Sequence, residues 1–161
     1  MRLAAALLAL AALSGCGLHP LYAGGGSGGV ARGLASVEVS PIAGKDGWFM
    51  RNALRDRLGQ QSGSARYRLE VRLDDKLEGL GLLTDDTIGR ERRTLRARYQ
   101  LVDKSSGKIL LDATAGSDAG IDVVSSEYAT VAAEQTALEN LTRDVADRIV
   151  TQLALTLRSQ S

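Results

Sequence analysis

Several residue types that usually announce a function are almost missing. The 161-residue chain has one cysteine, one histidine and two prolines, and its aromatics are limited to four Tyr, one Trp and one Phe. A single cysteine excludes a disulfide framework, and one cysteine with one histidine is too few for a structural zinc site. Charge of one sign is missing too. Lys plus Arg totals 20 against 19 for Asp plus Glu, whereas a nucleic-acid-binding domain is strongly basic, so no nucleic-acid partner is expected. No apolar run reaches the roughly 20 residues needed to span a bilayer. No Gly-x-Ser-x-Gly nucleophile elbow occurs. The carboxylate pairs Asp74-Asp75 and Asp85-Asp86 read as solvated turn residues. A lipid-anchored hydrolase would need two carboxylates across a cleft, which so small a domain gives little support. The expectation is therefore no enzyme and no cofactor, with a core built from Leu, Val, Ile and Ala.

What is present starts at the N-terminus. Met1 and Arg2 precede Leu3–Leu13, a run of only Leu and Ala, and then Ser14-Gly15-Cys16. A short charged region followed by an apolar segment of this length is a secretory signal. A small-residue run ending in cysteine is the cleavage box of a lipoprotein, in which the thiol takes a diacylglyceryl group and the chain is cut before Cys16. The alternative is an ordinary signal peptide with a chance cysteine. That would leave a lone free thiol in an oxidising compartment. Two or three acyl chains anchor firmly where one anchors only marginally. Gly17 follows the cysteine, not the Asp that retains lipoproteins at the inner membrane in enteric bacteria, so an outer-membrane, periplasm-facing location is expected.

Cleavage after residue 15 leaves 146 of 161 residues and removes Arg2, so the mature side-chain charge is balanced. Residues 16–34 read as the lipidated N-terminus and a glycine-rich tether, and residues 35–161 as one α+β domain. Ala35, Val37 and Val39 alternate with polar residues as in a short strand, which Pro41 stops. A helix is expected over about 47–61, capped by Asp46, with Met50, Leu54 and Leu58 on one face. Tyr67, Leu69, Val71 and Leu73 define a second strand, and Leu95, Ala97, Tyr99 and Leu101 a third. The two form a long hairpin whose tip lies near Asp85 and Asp86. A shift of apolar parity from Leu77 to Leu80 and Leu82 suggests a bulge. Residues 103–108 form a tight turn, with Gly107 supplying positive φ. Ile109, Leu111 and Ala113 open a fourth strand, expected to end near Gly116, with a loop over 116–125. From Ser126 to about Leu157 there is no Gly or Pro, and apolar residues recur every three or four positions. That is one long amphipathic helix, whose apolar face suits a core or, alternatively, a partner groove. The fold class is α+β: a four-stranded mixed sheet with two helices packed on one face, in the order β-α-β-β-β-α, with a parallel crossover through the first helix.

The run Cys16-Gly17-Leu18-His19-Pro20-Leu21-Tyr22 resembles the mature start of the LptE family of lipopolysaccharide-assembly lipoproteins. Val37-x-Val39-x-Pro41-Ile42, Arg51-Asn52-x-Leu54 and Ser126-x-Tyr128 resemble its alphaproteobacterial branch. Leu18 stands where Phe is common. The resemblance implies a non-enzymatic outer-membrane subunit that plugs a large β-barrel lipopolysaccharide translocon of the LptD kind and helps assemble and deliver lipopolysaccharide. The competing expectation is a free-standing envelope lipoprotein that binds a ligand or serves another transport complex.

The arginines suggest where such a partner would sit. Arg66, Arg68 and Arg72 lie on one side of the second strand and Arg96 and Arg98 on one side of the third, with Arg92 and Arg93 adding charge nearer the hairpin tip. Guanidinium forks suit phosphates and carboxylates. This face is therefore the candidate site for lipopolysaccharide phosphates or for a polar barrel lumen, against the alternative of an ordinary solvated face. A second candidate is the apolar, glycine-flexed tip at Leu80, Leu82 and Leu83, which would meet acyl chains or barrel wall unless it tucks against the domain's own core.

Overall fold

A computed structural model describes residues 28–59, 64–80 and 89–159. The signal segment, Cys16, the family-like run at 16–22, Leu82, Leu83 and the tip at Asp85-Asp86 lie outside these residues.

The first element departs from expectation. Helix α1 (Gly29–Ala35) occupies residues read above as tether and the start of the first strand. Val30 and Leu34 stand one turn apart and form an apolar stripe. Leu34 is buried, Val30 packs against the same core, and Gly33 lies against Leu157. The Ser36 hydroxyl closes the helix by donating to the Gly33 carbonyl at 2.6 Å. Glycine content suggested a flexible segment, but burial of one leucine and close approach to the terminal helix set its structure.

β1 (Val37–Val39) follows, then α2 (Gly44–Leu58). The helix begins before Asp46, so Asp46 sits in the first turn and does not cap it; the N-cap is Ala43, with no side-chain cap. Asp46 still opposes the positive end of the helix dipole there. Gly47 is required by close packing, because a Cβ on it would lie 2.6 Å from the Ile42 carbonyl oxygen.

β2 (Tyr67–Gly79) and β3 (Arg90–Asp103) form the expected long antiparallel hairpin, in unbroken register from Tyr67↔Asp103 to Gly79↔Glu91. No bulge interrupts it up to Gly79; the one register shift among the described strands falls between Leu101 and Val102, where β3 meets β4. Asp74 and Asp75 are strand residues, not turn residues, and they point to opposite faces. The turn after β3 is as expected. Gly107 has φ +69°, and the Asp103 carboxylate accepts from the Ser105 and Ser106 amides at 2.9 and 3.2 Å.

β4 (Ile109–Asp122) runs well past Gly116, where a loop was expected. Its Ala113, Ala115 and Ala119 pack against the core. A Cβ on Gly116 would face away from the helices, 3.2 Å from the Arg96 side chain and the Leu95 carbonyl oxygen of β3, while Arg148 donates to the Gly116 carbonyl. The core-facing alanines thus allow a helix to approach closely, and the run of small residues imitates a loop in sequence. That helix is α3 (Glu127–Arg158), 32 residues long, whose N-cap Ser126 accepts from the Ala129 amide.

The sheet order is β1-β2-β3-β4, with β1 parallel to β2 and the other pairs antiparallel. α2 and α3 lie side by side in the same direction, linked by Lys45–Gln135 and Arg57–Asp147. The inward residues of the strands, among them Leu69, Val71, Leu95, Ala97, Tyr99 and Leu101, form one core with Met50 and Leu54 of α2 and Val145, Ile149 and Leu153 of α3. This is the expected α+β mixed sheet with helices on one face, with α1 as a third helix. Among the described residues, no element covers the opposite face of the sheet, called the bare face below.

An arginine-rich sheet face as candidate functional site

Alternation places side chains of even number on the bare face and odd ones beneath the helices. Arg68 and Arg72 of β2 and Arg92, Arg96 and Arg98 of β3 are all exposed on the bare face, and Arg66 stands exposed at the entry to β2. Arg93 has the other parity and belongs to the other face. It makes three hydrogen bonds to the Asp75 carboxylate and donates to the Glu134 carbonyl of α3 at 2.9 Å, with its side chain 16 % exposed. The hydrogen bonds to Asp75 hold its pKa above the ordinary arginine value. Arg93 is thus a strut between sheet and helix and stands apart from the other six candidates. Its parity with Leu95, Ala97 and Tyr99 is the sequence signal that separates them.

Acids are interleaved with the remaining arginines. Arg66 reaches the buried Asp103 carboxylate at 3.5 Å and lies over the Tyr67 ring. Arg68 pairs with Glu70 at 2.8 Å. Arg98 pairs with Asp112 at 3.1 Å, and Gln100 donates to the same carboxylate at 2.8 Å. These hydrogen bonds lower the Asp112 pKa and raise that of Arg98. Arg90, at the far end, pairs with Asp122. Arg72, Arg92 and Arg96 have no ion pair among the described residues.

Arg72 and Arg98 are direct cross-strand partners. Two like charges opposite one another disfavour the sheet by a few tenths of a kcal/mol. They sit at the rim of a depression of about 480 Å³, lined by Ser40, Pro41, Glu70, Val71, Arg72, Arg98 and Gln100. It forms because Pro41 ends β1 while β2 continues, so the sheet has a step there. An open, polar hollow bordered by two guanidiniums accepts an anion by shape and charge.

The sequence pattern of the LptE, lipopolysaccharide-assembly, family matches residues 34–153. The chain belongs to the LptE family. This span covers the sheet, α2 and most of α3, the part of LptE that carries the arginine face. Solved structures share the fold. A Caulobacter crescentus protein described as a lipoprotein superposes with TM-score 0.68 at 25 % identity, covering 83 % of this chain and 98 % of that one. Rare lipoprotein B of Shewanella oneidensis gives 0.56 at 13 % identity, covering 77 % and 97 %. A minor lipoprotein of Acinetobacter baumannii gives 0.59 at 18 % identity, covering 74 % and 88 %. No curated protein sequence matches. Among the described residues of this LptE chain, no helix is long and apolar enough to cross a membrane.

Proposed function

We propose that this LptE chain is the lipid-anchored accessory subunit of an outer-membrane β-barrel lipopolysaccharide translocon, seated as a plug in the barrel and assisting delivery of lipopolysaccharide to the outer leaflet. Membership of the lipopolysaccharide-assembly family carries the reading. The signal segment and Cys16 support the anchor: cleavage and acylation put a water-soluble domain beside the membrane without a spanning helix. The role is one of binding and positioning, with no catalytic step.

The bare face is the docking surface in this reading. A barrel lumen is polar, and lipid A carries phosphates. The cations that meet them are Arg72, Arg92 and Arg96, which have no carboxylate partner among the described residues, with Arg98 at the hollow. Arg66 and Arg68, already paired locally, contribute less. Arg93 contributes only by holding the fold. Substituting Arg96 and Arg98 together with Glu tests this. The double variant should fold and lose binding to its barrel or to lipopolysaccharide, and unchanged binding to both would remove the arginine face from the account.

A further inference from the structure

β2 is paired on its outer edge for only part of its length. β1 matches Tyr67, Arg68 and Leu69, and the Ser40 amide makes the last bond, to the Leu69 carbonyl at 2.9 Å. Pro41 then ends that strand. From Val71 to Gly79 the β2 edge has no strand beside it among the described residues. The odd residues point their amide and carbonyl groups this way: the Tyr67 amide donates to β1's side, at Ser36, while the even Leu80 amide donates to Arg90 of β3. Val71, Leu73, Asp75, Leu77 and Gly79 therefore present a row of open backbone donors and acceptors, the kind of edge that recruits another strand.

The side chains state which strand fits. Arg72-Leu73-Asp74-Asp75-Lys76-Leu77-Glu78 is complementary to its own reverse. An antiparallel copy centred on Asp75 sets Arg72 against Glu78, Asp74 against Lys76 and Leu73 against Leu77, each twice by symmetry. This register also brings odd residues opposite odd residues, as ladder hydrogen bonds require. Sliding one copy by two residues in either direction opposes Arg72 to Lys76, or Asp74 to Glu78, and sets Asp74 or Lys76 against its own counterpart. Like charges directly opposite are unfavourable. In the favoured register the central Asp75 is already neutralised by Arg93 within its own copy. Leu77, 43 % exposed, gains a neighbour. The outer edge of β4, which also has no strand beside it among the described residues, has no such match: its outward charges are Asp112, Asp118 and Asp122, all of one sign.

We infer that two copies of this chain associate through β2, edge to edge about a two-fold axis, into one continuous sheet. The interface is isologous; it uses Arg72, one of the docking cations, so it describes the chain before it is seated in a barrel. The test is sedimentation of the full chain in density-matched detergent, with micelles in excess. The wild type should show a concentration-dependent dimer. Lys76→Glu alone sets a new carboxylate against Asp74 of the other copy. Asp74→Lys alone sets a new ammonium group against Lys76 of the other copy. Each should weaken dimerisation about tenfold or more. An equimolar mixture of the two variants restores opposite charges at both positions, so it should recover the dimer. Asp74 and Lys76 side chains are 59 % and 61 % exposed, and a native far-UV circular dichroism spectrum of both variants confirms intact folding. A wild type that stays monomeric at all concentrations, variants that associate like the wild type, or a mixture that fails to recover would each overturn the inference.

Discussion

Arg93→Ala should unfold this domain more easily than any other single arginine substitution. Its guanidinium is 16 % exposed and its partner Asp75 17 %. Truncation removes the contacts to Asp75 and the bond to the Glu134 carbonyl, leaving a half-buried carboxylate unpaired between sheet and helix. Hydrogen bonds to charged groups contribute about 1.5–3 kcal/mol net, and breaking a fully buried pair costs about 3–5. Discounting for partial exposure gives a loss of about 2–3 kcal/mol. For a domain of this size that lowers Tm by roughly 10 °C. Arg96→Ala, on the bare face with no ion pair among the described residues, should stay within about 0.5 kcal/mol of the wild type. Urea titration followed by far-UV circular dichroism gives both numbers on one scale. If the two variants unfold at the same midpoint, the division of the arginines into a strut and a docking set is wrong.

Other outcomes follow from the same packing. Gly47→Ala should cost at least about 2 kcal/mol, since the new methyl group would meet the Ile42 carbonyl at 2.6 Å, while Gly33→Ala, with its nearest contact at 3.4 Å, should be nearly neutral by the same titration. Leu153→Ala, at a fully buried position, should cost about 2–5 kcal/mol. The Asp103 pKa is lowered from 3.8 to about 2 by hydrogen bonds from the Ser105 hydroxyl and amide. A folded pKa below the unfolded one adds stability that is complete above the unfolded value and is lost as pH falls toward the folded one. Denaturation midpoints should therefore drop between about pH 4 and pH 2, and Asp103→Asn should flatten part of that drop. Intact-mass measurement of the native protein should find a chain beginning at an acylated Cys16; an unmodified thiol or a retained Met1 would remove the anchor.

The strands legible in the sequence are those that bury one face only. Alternation over Tyr67–Leu73 and Leu95–Leu101 reveals β2, β3 and the arginine face together, because a period of two assigns both faces at once. The helices are legible where Leu and Val recur over several turns. Other features are hidden for physical reasons. α1 is made largely of glycine and alanine around Val30 and Leu34, and only contact with Leu157 reveals that it is helical. The core-facing residues Ala113, Ala115 and Ala119 of β4 are small because α3 lies close above them. The parallel direction of β1 and β2 is that expected of a crossover through a helix, but no local pattern encodes which strands lie side by side. Arg93 falls among the wrong arginines when sequence proximity outweighs its parity. Asp75 resembles a turn carboxylate because its partner comes from the other strand of the hairpin.

The measurement closest to the central claim is a pull-down of the tagged full chain from outer membranes solubilised in mild detergent, followed by mass spectrometry. One dominant partner is predicted: a large β-barrel protein that carries lipopolysaccharide with it and is lost with the Arg96→Glu, Arg98→Glu variant. Recovery of the chain without a barrel, or with the subunits of some other transporter, would contradict a role in the lipopolysaccharide translocon.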